Sequence, residues 1–139
     1  MPSLSMLIKP ASGLCNMRCR YCFYADVAEH REVPSYGVMK SGTAEALVKR
    51  AFEYATGAVT FAFQGGEPTL AGTDFYRDFT DFVNRYNTKN IPVSYAMQTN
   101  AYHFPDGLLE LLRDNRFLLG VSLDGTAVLH DMNRLDATG

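Results

Sequence analysis

The sequence predicts an α/β fold of parallel βα repeats, and two observations carry the prediction. Four short runs rich in β-branched and aromatic residues alternate with segments bearing an apolar stripe at helical spacing. Such alternation favours a parallel sheet joined by right-handed crossovers. The chemically unusual stretches also all follow strands. A cysteine cluster follows the first and Gly65-Gly66-Glu67-Pro68 the second; Gln98-Thr99-Asn100 closes the third and Ser122-Leu123-Asp124-Gly125 the fourth. In βα barrels the chemistry sits at the C-terminal ends of the strands.

Residues 4–8, mostly apolar and closed by Pro10, read as the first strand. The cysteine loop comes next, followed by a polar stretch, 26–40, expected to be irregular. Ser41 or Thr43 caps a helix with Leu47, Val48, Ala51, Phe52 and Ala55 on one face, and Gly57 stops it. Residues 58–63 form the second strand. Thr73 caps the next helix, whose stripe is Phe75, Phe79, Phe82, Val83 and Tyr86. Residues 92–97 are the third strand. Pro105 fits a helix first turn, with Leu108, Leu109, Leu111 and Leu112 as the buried side. Residues 117–123 make the fourth strand, and the rest begin a loop or helix.

The chain has 139 residues, 47% hydrophobic and 20% charged, with net charge −2. That is an ordinary globular composition and enough for one domain. No basic stripe is visible, so no nucleic-acid partner is expected. The apolar runs fall short of a membrane span, and the N-terminus lacks the pattern of a signal peptide. Three clustered cysteines without a disulfide framework fit a reducing cytoplasm.

All three cysteines, Cys15, Cys19 and Cys22, fall within eight residues, CNMRCRYC. Thiolates are soft ligands suited to iron–sulfur clusters, zinc and Cu(I). Three ligands, where clusters most often have four, leave one coordination position open. The bland readings are a buried helix face at i, i+4 and i+7, a zinc site completed by His30 or His103, and a Cys19–Cys22 redox pair that leaves Cys15 unexplained. Gly13 and the polar Asn16, Arg18 and Arg20 fit an ordered loop better than a helix. Elsewhere, adjacent glycines at 65 and 66 let backbone approach a ligand closely. Ser122 and Asp124 can face a ribose or substrate, although a strand end and a turn explain them too. Arg134 has the fork that pairs with a carboxylate. Gln64, Gln98 and Asn100 are polar candidates at strand ends.

CNMRCRYC has the form CxxxCxΦC, with Tyr21 as Φ, and resembles the cluster motif of the radical S-adenosylmethionine (SAM) enzymes. The resemblance implies that Cys15, Cys19 and Cys22 hold a [4Fe–4S] cluster whose open iron is chelated by SAM. It implies that Tyr21 lies against the adenine and that Gly65, Gly66 and Glu67 grip the amino group of SAM. Ser122 is a further implied contact, and Arg134, in His130-Asp131-Met132-Asn133-Arg134, the implied partner of the SAM carboxylate. The stretches LIKPAS, CFY, SYGVM, FAFQGGEPTLAG, QTNA and SLDG together resemble the anaerobic sulfatase-maturating enzymes along essentially the whole chain.

That resemblance implies a partial (β/α)6 TIM-like barrel, with these four strands as its first part. Residues 1–139 are then expected to be a truncated radical SAM core. An auxiliary-cluster C-terminal domain and the catalytic base are expected outside this sequence. The implied oxidoreductase reaction is reductive cleavage of SAM to a 5′-deoxyadenosyl radical, then hydrogen abstraction from a cysteine or serine of a sulfatase polypeptide, giving Cα-formylglycine. The implied partners are that polypeptide and an electron donor such as flavodoxin or ferredoxin. Two alternatives stand beside it: a radical SAM enzyme forming thioether or other crosslinks in a peptide, and a non-catalytic three-cysteine metal-binding module. An open four-stranded sheet is expected to expose an edge strand and apolar surface.

Overall fold

The computed structural model describes residues 1–138. Its elements are β1 (Leu4–Ile8), α1 (Phe23–Glu29), α2 (Ser41–Tyr54), β2 (Val59–Phe63), a 3₁₀ turn (Pro68–Ala71), α3 (Thr73–Tyr86), β3 (Val93–Thr99), α4 (Leu108–Asp114), β4 (Leu118–Val121) and α5 (Ala127–Asn133). The four strands form one sheet in the order β1-β2-β3-β4, and every neighbouring pair is parallel. The register brings Ile8 beside Phe63, Phe63 beside Met97 and Thr99 beside Val121. All four C-terminal ends therefore lie along one edge of the sheet.

Successive strand residues point to opposite faces, and the two faces differ. Val59, Phe61 and Phe63 of β2 are buried and alternate with half-buried Thr60 and Ala62. Their face meets α2, which buries Ala44, Val48, Ala51 and Phe52, and α3, which buries Phe75, Tyr76, Phe79, Thr80, Phe82 and Val83. The centre is aromatic. Phe61 meets Phe79 edge to face at 5.0 Å, Phe63 meets Tyr76 and Phe79 at 5.1 Å, and Tyr95 stacks on Phe117 at 4.7 Å. Edge-to-face pairs suit the ring quadrupole and add to area burial. The opposite face is open, with Leu7, Ala62, Ala96 and Leu118 in one row across all four strands. Leu118 is 73% exposed and Val121 52%, so β4 is the expected exposed edge with apolar side chains.

Several local expectations are corrected. Part of the stretch expected to be irregular is helical, as α1. Neither Ser41 nor Thr43 caps α2; Lys40 occupies that position with no side-chain bond. Thr73 is the first residue of α3 rather than its cap, which is Gly72 at φ 86. Helix α4 begins at Leu108 behind a left-handed Gly107, so Pro105 lies before its first turn. Only Leu108 and Leu112 of α4 are buried; Leu109 is 48% exposed.

A buried carboxylate locks the strand ends. Glu67 is 1% exposed. Its Oε1 accepts from the Thr69 N–H at 3.2 Å and the Thr99 hydroxyl at 2.6 Å, and its Oε2 from the Asn100 N–H at 2.8 Å. Buried charge is tolerated when its lone pairs are satisfied by donors. The turn after β2 is thereby tied to the end of β3.

Two predictions follow. Phe61→Ala removes a fully buried ring and is expected to cost about 3–5 kcal/mol, read as a fall in thermal midpoint of roughly 10 °C. Glu67→Ala strands two backbone N–H donors and one hydroxyl, at about 1–3 kcal/mol for each group left unsatisfied. Glu67→Gln, which keeps one acceptor oxygen, is expected to fall between wild type and Glu67→Ala in the same melting experiment.

Candidate active site

The edge formed by the strand C-termini is hollow. A cleft of about 210 Å³ is lined by Cys15, Cys19, Cys22, Tyr21, Gly65, Gly66, Glu67, Ser122 and Arg134. Gln64, Gln98 and Asn100 also line it, with Phe23, Tyr24 and Thr99. Residues separated by more than a hundred positions thus share one wall. His30 and His103 do not line it.

The cysteine loop is held from two sides. One is the glycine pair. The Glu67 N–H donates to the Leu14 carbonyl at 2.7 Å, and a Cβ on Gly66 would sit 2.1 Å from that oxygen. Gly66 also has φ +37, a conformation that side chains disfavour. The close approach made by Gly66 is therefore to the chain's own cysteine loop, within the wall of the cleft. The other side is the segment after α5. Arg18 N–H donates to Leu135 O and Arg20 N–H to Asn133 O, both at 2.8 Å, and Ala137 N–H to Asn16 O at 3.1 Å. Met17 and Asp136 form an antiparallel bridge. Nothing local in the sequence signals this strap, because its hydrogen bonds are main-chain ones between distant segments.

The three cysteines are free thiols. Loss of water in the cleft pushes the Cys15 thiol above its ordinary range, against a weaker stabilising contact from the Met17 N–H. Desolvation also raises Cys19, partly offset by the charge of Arg134. Burial thus favours the protonated form of Cys15 and Cys19, and taking up a metal centre here releases protons. N–H donors already face the sulfurs. The Met17 amide lies 3.4 Å from Cys15 Sγ, Asn100 Nδ2 3.8 Å from the same atom, and Arg134 Nη1 3.7 Å from Cys19 Sγ. Such donors orient thiolate ligands and set the potential of a cluster.

Among the described residues no group of three or more His, Cys, Asp and Glu is arranged around a single metal ion. A four-iron cluster binds each thiolate through a different iron and does not need that convergence. The three thiols, their N–H donors and the open cleft fit such a cluster.

Polar side chains complete the far wall. Gln98 Nε2 donates to Ser122 Oγ at 2.9 Å, and Ser122 is anchored by its own N–H to Thr99 O at 3.0 Å. Asn100 Nδ2 donates to Asn16 Oδ1 at 2.9 Å, which joins β3 to the cysteine loop. Gln64 Nε2 donates to the Tyr24 hydroxyl at 3.1 Å, and Lys9 Nζ lies over the Tyr24 ring at 4.3 Å. Tyr24 and Lys9 were not singled out by the sequence, since an aromatic residue beside CFY and a lysine before a proline look unremarkable. Asp124 stands behind the cleft and accepts from both Tyr21 and Arg134.

Residues 10–135 match the radical SAM superfamily. The chain is 56% identical over 137 residues to a cysteine-type anaerobic sulfatase-maturating enzyme of Clostridium novyi, covering 99% of this chain and 37% of that protein. It is 34% identical to a serine-type anaerobic sulfatase-maturating enzyme of Klebsiella aerogenes, covering 96% of this chain and 33% of the relative. Among solved structures, anSMEcpe with bound AdoMet superposes with a TM-score of 0.90 at 43% identity, over 99% of this chain and 36% of its own. The chain thus spans about a third of the length of these relatives. Family membership implies a [4Fe–4S] cluster and SAM, and the cleft described above carries thiols and polar groups suited to both. With its parallel strands, its cysteine loop and a family match over nearly all its length, the chain belongs to the radical SAM superfamily.

Proposed function

We propose that this protein takes part in sulfatase maturation, as an oxidoreductase that converts a cysteine of a sulfatase polypeptide to Cα-formylglycine. The observation that carries this reading is the single cleft in which the three thiols, the glycine pair, Ser122 and Arg134 meet. Cys15, Cys19 and Cys22 would hold a [4Fe–4S] cluster. When bound, the cluster and SAM supply one-electron cleavage and a radical that abstracts hydrogen.

The chain's own residues bind and orient. Gly65, Gly66 and Glu67 line the cleft and would together grip the amino group of SAM, the Glu67 carboxylate also holding that turn in place. Arg134 would pair with the carboxylate of SAM, and Ser122 would make a further contact to SAM. Tyr21, 54% exposed, offers its ring to the adenine. Residues 1–139 act as the unit that carries the cluster and SAM ligands.

The cysteine target is favoured by similarity. Cysteine-type relatives match at 56% and 44% identity, serine-type relatives at 34% and 33%. The solved structures with bound peptide carry peptides designated Cp18Cys and Kp18Cys, which agrees with a polypeptide substrate. A small soluble electron donor such as flavodoxin or ferredoxin supplies the electron, and the reaction takes place in the cytoplasm.

Anaerobic reconstitution with iron and sulfide is expected to give a brown protein with about four irons per chain. Its reduced EPR signal is expected to change on adding SAM. Cys15→Ala, Cys19→Ala and Cys22→Ala are each expected to abolish that signal while leaving the melting temperature of the metal-free protein within a few degrees. A colourless wild-type protein, or one that loads zinc with no SAM response, would overturn the assignment. In the holoenzyme, a sulfatase-motif peptide carrying cysteine is expected to lose two hydrogens and then, on hydrolysis, to exchange its sulfur for the oxygen of water with release of sulfide, and its serine counterpart to react more slowly; equal inertness of both peptides would reject the substrate.

A further inference from the structure

Asp124 does not line the cleft, yet it grips two of the side chains that do. Its Oδ1 and Oδ2 accept from the Tyr21 hydroxyl at 2.8 and 2.7 Å. Its Oδ1 also accepts from Arg134 Nε at 3.1 Å. These three residues come from the cysteine loop, the turn after β4 and the end of α5. Their meeting therefore requires the whole fold.

The geometry of the arginine matters. Asp124 engages only Nε, so the terminal nitrogens are directed away from it, and Nη1 donates to Cys19 Sγ at 3.7 Å. The guanidinium carbon is 5.4 Å from the Tyr21 ring centroid. The backbone on either side of Arg134 is pinned through Asn133 O and Leu135 O to the cysteine loop. Asp124 is itself fixed by its N–H, which donates to His130 Nδ1 on α5 at 3.3 Å. The arginine and aspartate side chains are only 12% and 23% exposed, so the contact is sheltered from solvent competition. Tyr21 and Arg134 together keep the Asp124 carboxyl below its usual range, consistent with a permanent acceptor.

We propose that Asp124 is a positioning residue for SAM, acting through Tyr21 and Arg134 by holding the ring and the guanidinium in the orientation the ligand needs. The inference rests on the reading of the cleft as a SAM site and deepens it. An unrestrained arginine loses rotamer freedom when it binds a carboxylate, and setting its orientation beforehand removes that cost from the binding step. A stability role alone is a poorer account, since a partly buried ion pair contributes little net stability.

The test is SAM affinity, titrated by calorimetry on the anaerobically reconstituted protein, with iron content measured for every variant. Asp124→Ala is expected to weaken binding about tenfold and Asp124→Asn, which keeps one acceptor oxygen, about threefold. In an Arg134→Gln/Tyr21→Phe background, titrated to millimolar SAM, Asp124→Ala is expected to weaken binding by less than about twofold, because nothing is left to position. Equal losses in both backgrounds, or no loss in either, would overturn the inference. If Asp124→Ala fails to load iron, Asp124→Asn carries the same comparison. Wild-type protein that loads iron but binds no SAM would overturn the SAM-site reading and this inference with it. Wild-type binding with an undiminished Asp124→Ala variant would overturn this inference alone.

Discussion

The Glu67 carboxylate is the constraint on which the site depends. Parallel strands are held by main-chain bonds along their length, but their C-terminal ends must also be brought into a fixed arrangement if they are to build a cleft. Glu67 does this with one buried charge and three donors, drawn from its own turn and from the end of β3. Its own N–H reaches the other way, to the Leu14 carbonyl that leads into the cysteine loop. One residue therefore fixes the loop, the turn after β2 and the end of β3 relative to one another. The aromatic core beneath supplies the stability, and Glu67 supplies the registration.

The electrostatics of the cleft follow from that arrangement. Water is partly removed from Cys15 and Cys19, which disfavours their thiolate forms in the absence of a metal. N–H groups of Met17, Asn100 and Arg134 are already turned toward the sulfurs. The site discourages bare thiolates and is prepared for coordinated ones. Such a balance protects the thiols from unwanted reaction before the metal arrives, because the thiolate is the reactive form.

The alternation of strands and helices was legible in the sequence, because Phe61, Phe63, Phe75 and Phe79 announce their buried faces through simple periodicity. The cysteines were legible as candidates from their spacing alone; the glycine pair, Ser122 and Arg134 stood out only through the family resemblance, since a turn, a strand end and a solvated arginine explain them equally well. Helix α1 was not legible. It is only seven residues long and buries none of them, too short and too exposed for an apolar stripe to stand out directly behind the cysteines. The exposure of Leu109 was missed because a run of leucines looks the same on the face of α4 that packs and on the face that does not. The strap from Asn133 to Ala137 was invisible for a different reason: backbone amides and carbonyls are the same in every residue, and pairing across such a distance leaves no mark in composition. The contacts of Asp124 were hidden too: the sequence offers it as a residue facing a ribose or substrate, or as part of a turn, and neither reading shows its pairing with Tyr21 and Arg134.

The strap also orders events in time. Residues 15–22 leave the ribosome before their second support: the carbonyls that secure Arg18 and Arg20 belong to Leu135 and Asn133, synthesised more than a hundred residues later. Closing so long a loop must await those residues. During translation the cysteine loop therefore emerges without its second support. Its mature shape, and any metal centre that depends on that shape, is acquired only after the chain has been made through Ala137.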